Sequence, residues 1–496
     1  MRPSWGNTLW KSCPTLEPGG ESRLVGAVFL SALACFFFAY FHLAAQLVYT
    51  TNLDRQKSDQ QSNLELAHAS DEDWWPQRTN AVANNFWPWL AKKLVDHPNE
   101  QEFFLRSKWL NVSLSALFLA LGTAVAARYL PWIAVLLLLG LAGLGSLLPR
   151  ALYFHPEVLF YTGFFACFVL GWKLLLVNSW KLAVLLGIFL AWSHLAKPSI
   201  MPLLMVWLGA SLWRLTVAWS PLPATRWGGM ALWPVRQADS GLWKPGAHLL
   251  NMGIVLGVAA TLLMPYMMET QKSRGSPLFN IASYWMWHED YGEESVPFLI
   301  EYGHARKIAE LPAEEIPSLG NYLKKYGPSH AWGRLTDGVW LKFERFFLPE
   351  PNLIEWRPER PWRYLLRYRG LYPVVLGATL LGLLGWLALG YAGGKSRAPA
   401  NPGGPSTVIF ICGTLVGYTL AYGWYEPIGR GDRFMMTLFL PLCFALVWGI
   451  EELRKRLNHP LAHVVVSLVY TGLVLRLAWY LVAMLRFPNF ETHHPL

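Results

Sequence analysis

Residues 24–49, LVGAVFLSALACFFFAYFHLAAQLVY, form one continuous apolar run near the start of the chain. Lipid offers no hydrogen-bond partners to an open backbone, so a run of about 20 or more apolar residues predicts a membrane-spanning helix. The run continues well past Cys35, which favours an uncleaved anchor over a cleaved signal peptide. Polar sequence follows at once: residues 51–67, TNLDRQKSDQQSNLELA, place Asp54 and Asp59 beside the predicted bilayer.

Similar apolar runs recur along the chain, and 53% of its 496 residues are hydrophobic. This composition is typical of a polytopic membrane protein and not of a soluble enzyme. We therefore predict an all-α polytopic membrane protein with about 11 transmembrane helices. The predicted spans are 24–47, 109–127, 131–148, 157–172, 180–196, 199–217, 248–267, 371–391, 406–423, 434–450 and 461–484. They divide the chain into an N-terminal transmembrane part (1–267), an outer segment (268–370) and a C-terminal group of helices (371–496).

The net charge of +10 would suggest a nucleic-acid partner in a soluble chain, but the placement of the charge argues for a membrane. With the N-terminus in the cytoplasm, the short inner segments are rich in Lys and Arg. The short outer loops and the C-terminus hold few such residues: Arg150, Lys197, Arg430, Arg433 and Arg486. This asymmetry predicts a cytoplasmic N-terminus and an outer C-terminus, and nucleic-acid binding is not supported.

Two long segments then lie on the outer side, at 48–108 and 268–370. Apolar residues recur at helical spacing within 80–95 of the first and within 318–349 of the second, where they alternate with basic residues. Such a pattern predicts either helices in the membrane interface or helices packed on the protein's own outer part. The sequence leaves both open.

Polar residues at the outer ends of the predicted spans are the candidates for a functional site. Acids and bases from separate loops converge on this face, whereas scattered solvation would distribute them over both faces. They are Asp54, Asp59 and Arg78 in the first outer loop, His155, Glu157, His194 and Lys197 around spans four to six, and Glu426, Arg430, Asp432 and Arg433 between spans nine and ten.

Each candidate also has a structural interpretation. Asp59 is suited to cap a helix that begins at Gln60, because aspartate accepts hydrogen bonds from first-turn amides. His155 is suited to be an interfacial aromatic residue. Arg430 and Arg433 are suited to anchor to lipid headgroups, although the glycines between them allow a ligand close to the backbone.

The order of these short motifs resembles the GT-C class of integral-membrane glycosyltransferases, whose members include protein O-mannosyltransferases and the aminoarabinose transferases of lipid A. The motifs are SDQ at 58–60, NNFWPWL at 84–90, Glu157 within YFHPEVLFY, AKPS at 196–199 and GDRF at 431–434. The similarity covers most of the chain in its layout.

This resemblance implies a bacterial inner-membrane enzyme that transfers a sugar from a polyprenyl-phosphate carrier to an acceptor at the outer face. It implies that Asp59, or Asp54 in its place, acts at the acceptor and that Glu157 belongs to the site. It further implies that basic residues hold the carrier phosphate: Arg78, Lys197, Arg430 and Arg433. The family often has a second acid beside the first, which this chain lacks, so a divalent metal ion on Asp59, Glu157 and His155 stays an open possibility.

Two other classes of protein were weighed. A transporter or flippase of lipid-linked sugars would also use many spans, but it usually shows internal repeats and broken helices near the midplane. A non-catalytic membrane scaffold would leave the one-sided acids and arginines without an explanation. Neither the sugar nor the acceptor follows from the residues.

Overall fold

The structure is a computed structural model that describes residues 20–56, 59–70, 74–76, 84–219, 226–227, 230–231, 244–347, 404–429, 435–457 and 460–486. In these residues the chain is helical apart from connecting loops and one short antiparallel hairpin, β1 (Arg226–Trp227) with β2 (Met230–Ala231). The predicted all-α architecture is therefore confirmed for the described part of the chain.

In chain order the helices are α1 (Gly20–Val48), α2 (Gln60–Ala69), α3 (Phe86–Val95), α4 (Glu100–Ala126), α5 (Trp132–Ala142), α6 (Leu148–Ala151), α7 (Glu157–Leu176), α8 (Trp180–Ala196), α9 (Met201–Trp219), α10 (Pro245–Arg274), α11 (Ala282–Trp285), α12 (Val296–Tyr302), α13 (Ala305–Ala309), α14 (Leu319–Tyr326), α15 (Pro328–Phe347), α16 (Gly404–Trp424), α17 (Phe439–Leu457) and α18 (Pro460–Arg486). A π-helix at Gly143–Leu147 joins α5 to α6, and a second one at Tyr291–Ser295 precedes α12.

Within the described residues, seven helical stretches are long and apolar enough to cross a membrane. They lie in α1, α4, the α5–α6 unit, α7, α9 with the preceding turn, α10 and α16, and shorter apolar stretches lie in α8, α17 and α18. Ten of the predicted spans thus coincide with helices, whereas the span 371–391 lies outside the described residues. The helices indicate a multi-pass protein in a lipid bilayer, and the total of 11 spans stays a prediction.

The apolar helices pack into a bundle whose interior is rich in aromatic side chains. Helix α8 packs between α7 and α10, α16 packs against α9 and α15, and α5 packs against α17 and α18. Tyr161, Trp207, Tyr418 and Tyr470 are fully buried between these helices. Large apolar side chains on the outside of the bundle are exposed, as Phe38 of α1 is at 76%, and a lipid environment would accommodate them.

The outer segment begins after α10, where Gly275 takes a left-handed φ of 79° and ends the helix. It has a small apolar core of its own, in which Phe279, Ile281, Trp285 and Ile308 are buried together with Ile428 from the C-terminal part of the chain. Helices α14 and α15 are separated by Gly327, whose φ of 84° breaks the helical path before Pro328. The stretch predicted as one helical pattern is therefore two helices.

Arg334 of α15 fastens the outer segment to the end of α16. Its guanidinium lies between the rings of Tyr322 and Trp424, with its central carbon 5.2 Å and 4.6 Å from the ring centroids. It donates hydrogen bonds to the carbonyl oxygens of Trp424 (3.0 Å) and Met286 (3.1 Å) and to Glu289 Oε1 (3.3 Å). A buried guanidinium needs such a set of acceptors, and here they belong to both the outer segment and α16.

Helix α15 has three different faces. Their exposure bears on the prediction that this helix lies either in the membrane interface or on the protein's own outer part. One face, with Arg334, packs on α16, while Trp332 and Trp340 are 67% and 59% exposed on another, and Asp337 is exposed between the two. An exposed aromatic face beside a charged residue is compatible with a helix that lies in the membrane interface, where aromatic side chains enter the headgroup region and charged ones face water. A polarity-sensitive fluorophore attached at position 332 or 340 in proteoliposomes should therefore emit at shorter wavelength than one at position 337. Equal emission from the three positions would favour the alternative, a helix that packs only on protein.

His288 makes the outer segment sensitive to acid. The side chain is buried against Phe298, and its Nδ1 lies 3.1 Å from Ser295 Oγ. Burial lowers the pKa of His288; the carboxylate of Glu294 opposes this shift, whereas Lys325 and Arg334 add to it. Below about pH 6.5 the unfolded segment therefore binds more protons than the folded one, and folding stability falls as pH falls.

We expect faster hydrogen exchange in residues 282–302 at pH 5.5 than at pH 7, after correction for intrinsic exchange rates. In a His288→Phe variant, which keeps a ring beside Phe298, this pH effect should disappear. An equal effect in the variant would assign the acid sensitivity to another group. The effect of Glu294 can be separated from that of His288, because the pKa of the Glu294 carboxyl is lowered. Burial raises this pKa, but the hydrogen bond from the Glu289 backbone amide and the charge of Lys325 outweigh the effect of burial. The stability that the Glu294 carboxylate contributes is therefore lost only at a pH more acidic than that at which His288 acts.

Candidate active site

The first outer loop is held at its start by a buried lysine. Lys108 of α4 is fully buried and donates hydrogen bonds to the carbonyl oxygens of Val48 (3.1 Å) and Thr51 (2.6 Å). These carbonyls lie at the C-terminal end of α1, where unsatisfied acceptors and the helix dipole favour a positive charge. Lys108 therefore fixes where the acid-bearing loop leaves the bundle.

Gln60 ties that loop to the segment before α7. Its side chain is buried, and its amide nitrogen donates to the carbonyl oxygens of Asp54 (3.0 Å) and Asn52 (3.4 Å). Its amide oxygen accepts from the backbone nitrogen of Phe154 at 3.1 Å. A side chain that satisfies backbone groups on both segments holds them side by side.

The segment at 153–155 is fixed from two further directions. The Asn111 amide of α4 donates to the carbonyl oxygens of Tyr153 (2.8 Å) and His155 (3.2 Å). The Phe154 ring lies among Trp87 of α3 and Phe103 and Phe104 of α4, with ring centroids 5.7 to 6.4 Å apart. The residues directly before Glu157 are therefore rigidly supported.

Asp59 stands immediately before α2, as the cap interpretation expects, but its carboxylate makes no capping hydrogen bond. Its backbone takes a left-handed conformation with φ 63°, which is uncommon outside glycine and is best tolerated by Asn and Asp. The side chain is exposed. Asp54 is exposed too, and its Oδ1 accepts from the Gln56 backbone nitrogen at 3.1 Å. Asp59 is therefore not placed there as a helix cap.

Glu157, Lys197 and His155 meet at the N-terminal end of α7, and residues predicted to share a membrane face are therefore close together. Glu157 is 1% exposed, and its Oε1 accepts from Lys197 Nζ at 2.7 Å. Its second oxygen lies 3.5 Å from His155 Nδ1. The Lys197 side chain remains 23% exposed, so the ammonium group is held by a buried carboxylate while part of it reaches the surface.

The AKPS turn that carries Lys197 is held by α16, and the last turn of α8 before it is held by the first outer loop. Tyr418 of α16 donates its hydroxyl proton to the Ser199 carbonyl oxygen at 2.6 Å. The Asn84 amide of the first outer loop donates to the carbonyl oxygen of His194, and Tyr266 of α10 donates to Asn84 Oδ1 at 3.1 Å. Asn84 belongs to the NNFWPWL motif, so this motif contacts the last turn of α8, directly before the AKPS turn.

The turn after α16 brings Glu426 to the outer segment. Glu426 forms a buried ion pair with Lys342 of α15, and Lys342 also donates to the Gly429 carbonyl oxygen at 2.7 Å. Arg430 and Arg433, which follow this turn, lie outside the described residues, and so does Arg78 of the first outer loop. Their predicted role in holding a phosphate stays a prediction.

Among the described residues, no three His, Cys, Asp or Glu side chains lie close enough together to hold a metal ion. The possible set of Asp59, Glu157 and His155 therefore does not form a metal site here. The charged groups described in this region are instead Lys197 beside the buried Glu157 and the exposed carboxylates of Asp54 and Asp59.

No protein-family model and no curated protein matches this chain.

Three residues that hold this site together were missed by the sequence-based reasoning. Lys108 and Asn111 were assigned to the boundary and interior of a span, and Lys342 to the basic residues of a helix predicted to lie either in the membrane interface or on the protein's own outer part. The one available signal was polarity inside an apolar run, as at Asn111, because a polar side chain there needs a partner in the protein. Gln60 was noted within SDQ, but no pattern indicated that it binds the backbone of Phe154.

Proposed function

We propose that this chain is a membrane glycosyltransferase of the GT-C class, which moves a sugar from a polyprenyl-phosphate carrier to an acceptor at the outer face of the membrane. The observation that carries the proposal is the geometry of Asp59. An exposed carboxylate in a left-handed backbone, not used as a cap, is tied through its neighbour Gln60 to the segment that leads into Glu157 and Lys197. Strained polar residues of this kind are enriched at functional sites.

The proposed reaction uses the carboxylate of Asp59 as a base and the ammonium group of Lys197 to stabilise the leaving phosphate. The carboxylate of Asp59 accepts the proton of an acceptor hydroxyl while the hydroxyl oxygen forms a bond to the anomeric carbon of the sugar. The bond from that carbon to the phosphate oxygen breaks, and its electron pair leaves with polyprenyl phosphate. Lys197 stabilises the charge that develops on the phosphate, together with Arg78, Arg430 and Arg433. Asp54 is the alternative base.

Glu157 has a supporting role in this proposal. Its carboxylate is 1% exposed and accepts from Lys197 at 2.7 Å, so it holds the ammonium group in place. This would leave Lys197 as a fixed cation at the surface of the bundle, where the phosphate of a lipid carrier lies.

The orientation is part of the proposal. The Lys and Arg distribution supports a cytoplasmic N-terminus, which puts Asp59 and Lys197 on the outer side of the bacterial inner membrane. The acids then lie beside the bilayer because one substrate, the carrier lipid, is in it.

Purified protein in proteoliposomes tests the proposal. With a panel of polyprenyl-phosphate sugars and a membrane extract as the source of acceptors, we expect sugar transfer coupled to release of free polyprenyl phosphate from at least one donor. Proteoliposomes with the Asp59→Asn variant are the control. Movement of an intact lipid-linked sugar between leaflets, without release of polyprenyl phosphate, would contradict the proposal and favour a flippase.

A further inference from the structure

Aromatic rings gather around Tyr322 of α14 at the junction between the outer segment and α16. The ring centroids of Trp287, Tyr326 and Trp424 lie 6.4, 4.9 and 5.1 Å from that of Tyr322. The His330 ring stacks on Tyr326 at a centroid distance of 5.1 Å. Tyr322 is buried, whereas the other four residues are half-buried or exposed. These four rings, with Tyr322 beneath them, are called the Tyr322 surface.

Glu289 adds a carboxylate to the Tyr322 surface. Its Oε1 accepts from the Tyr322 hydroxyl and from Arg334 Nη1 (3.3 Å), and it lies 3.1 Å from His330 Nε2. Its Oε2 makes no hydrogen bond to a residue that the structure describes. The Glu289 side chain is 28% exposed and that of His330 is 48% exposed. One charged oxygen, held in a fixed orientation by the bonds to the other, is therefore left to accept from a ligand.

The charges at this surface balance one another. The carboxylate of Glu289 is paired with Arg334, and that of Glu294 lies 3.4 Å from Lys325 Nζ. A phosphate group would need an excess of positive charge, which these pairs do not provide. An acyl chain would leave the charged groups desolvated without new partners. The balance of charge therefore favours a ligand that is neutral and polar.

A saccharide fits such a surface better than a peptide does. Sugar hydroxyls at the edge of the ring donate well to a carboxylate oxygen, because the acceptor is charged. The C–H groups on the face of a sugar carry a partial positive charge, which the negative face of an aromatic ring attracts. An extended peptide would instead need free backbone groups at a strand edge, whereas most of the Tyr322 surface lies on α14, α15 and α16, whose backbone groups bond within each helix.

The Tyr322 surface lies close to the turn that carries Lys197. Tyr418 of α16 donates to the Ser199 carbonyl oxygen in that turn. Trp424 follows six residues later in the same helix, about 9 Å along its axis, and its Nε1 donates to the Met286 carbonyl oxygen of the outer segment at 2.6 Å. A molecule held on the Tyr322 surface is therefore near the candidate active site.

We propose that the Tyr322 surface binds a neutral saccharide part of the acceptor, with Glu289 Oε2 accepting from its hydroxyl groups and the rings of Tyr326 and Trp287 packing on its C–H faces. This inference rests on the proposed function and deepens it, because it makes the acceptor a glycan and not the hydroxyl group of a protein side chain. Glu289 binds the acceptor in this proposal and takes no part in proton transfer.

Binding is measured without the lipid-linked donor, on the full chain in lipid nanodiscs that contain no sugar-headed detergent. The probes are the methyl glycosides of glucose, galactose, mannose and N-acetylglucosamine and disaccharides of the same sugars. Each is titrated by saturation-transfer difference NMR. We expect at least one disaccharide to bind the wild type with a Kd in the millimolar range.

Two variants remove the two kinds of contact, and each has a matched control. Glu289→Gln keeps the shape but loses the charged acceptor, and Tyr326→Ala removes a ring; both should raise the Kd of the bound disaccharide about tenfold. Tyr326→Phe keeps the ring and should keep the binding. The controls Glu310→Gln, at an exposed acid, and Tyr302→Ala, whose ring contacts Phe298 at 5.0 Å instead, should keep the wild-type Kd. Thermal midpoints identify any variant that fails to fold.

Transfer assays with the same disaccharide as acceptor give the second readout. In Glu289→Gln we expect a raised KM for the acceptor at an unchanged KM for the donor. No binding of any probe to the wild type, or an unchanged Kd in folded Glu289→Gln and Tyr326→Phe together with folded Tyr326→Ala, would overturn the inference. A serine- and threonine-containing peptide that binds here in place of every saccharide would overturn it too. Saccharide binding that the variants weaken, without release of polyprenyl phosphate from any donor, would support the saccharide site and refute the proposed function.

Discussion

Asp59→Asn is expected to lower turnover by about 10²–10⁴-fold while the protein folds and binds its donor normally, because an amide cannot accept the proton of the acceptor hydroxyl. Asparagine suits the site in every other respect. It matches aspartate in size, and it is among the few residues that tolerate the left-handed backbone, here at φ 63°. The substitution therefore removes the base without a conformational penalty.

The variant is measured by single-turnover release of polyprenyl phosphate together with the equilibrium Kd for the donor. Asp54→Asn is the matched control, since Asp54 is a second exposed acid of the same loop, and an asparagine there can still accept from the Gln56 amide. We expect it to retain most of the turnover. Full activity in Asp59→Asn with a large loss in Asp54→Asn would move the base to Asp54. A helix-cap role for Asp59 predicts no effect on turnover, and its carboxylate makes no capping bond.

The second large effect is expected at Lys197. Lys197→Met should abolish donor use and also destabilise the protein by about 3–5 kcal/mol, because it leaves the Glu157 carboxylate buried without its counter-charge. The two losses have different causes, and a second substitution separates them. In Lys197→Met/Glu157→Gln the buried charge is gone, so the thermal midpoint should return close to that of the wild type. Donor binding should stay lost, because no ammonium group remains for the phosphate.

Glu157→Gln alone distinguishes the two roles considered for this acid. If Glu157 orients Lys197, the variant should keep part of its activity, with the donor KM raised about tenfold, equivalent to roughly 1.4 kcal/mol. If Glu157 itself transfers a proton, kcat should fall about 10²–10⁴-fold at an unchanged donor KM. Normal donor binding in the double variant Lys197→Met/Glu157→Gln would show that Lys197 does not contact the phosphate.

The helices of this protein follow from local sequence. Ten apolar runs identified in the sequence coincide with helices, and the start of α2 at Gln60 was predicted as well. In lipid the backbone must satisfy its own hydrogen bonds, so an apolar run of sufficient length has one dominant solution that does not depend on its neighbours. Glu157 and Lys197 were predicted to lie at span ends on the same membrane face, and the two side chains do form an ion pair.

The partners of the polar side chains did not follow from local sequence. Gln60 binds the backbone of a residue 94 positions away, and Lys342 binds Gly429 at a separation of 87. The sequence left open whether the basic residues of α15 face the membrane interface or pack on protein, and the structure buries Arg334 and Lys342 while Trp332 and Trp340 are exposed. Helical spacing identifies faces, but it does not say which face another helix will cover.

The sequence by itself determined that the chain is a helical membrane protein, because hydrophobic length is a local property that the bilayer selects directly. The placement of its acids and cations on one membrane face stays a prediction. Only the tertiary structure decided that Asp59 is not a cap, that Glu157 is the buried partner of Lys197, and that Lys342 fixes Gly429. A polar side chain has several possible partners in any sequence, and the packing of distant helices leaves only those within hydrogen-bond reach.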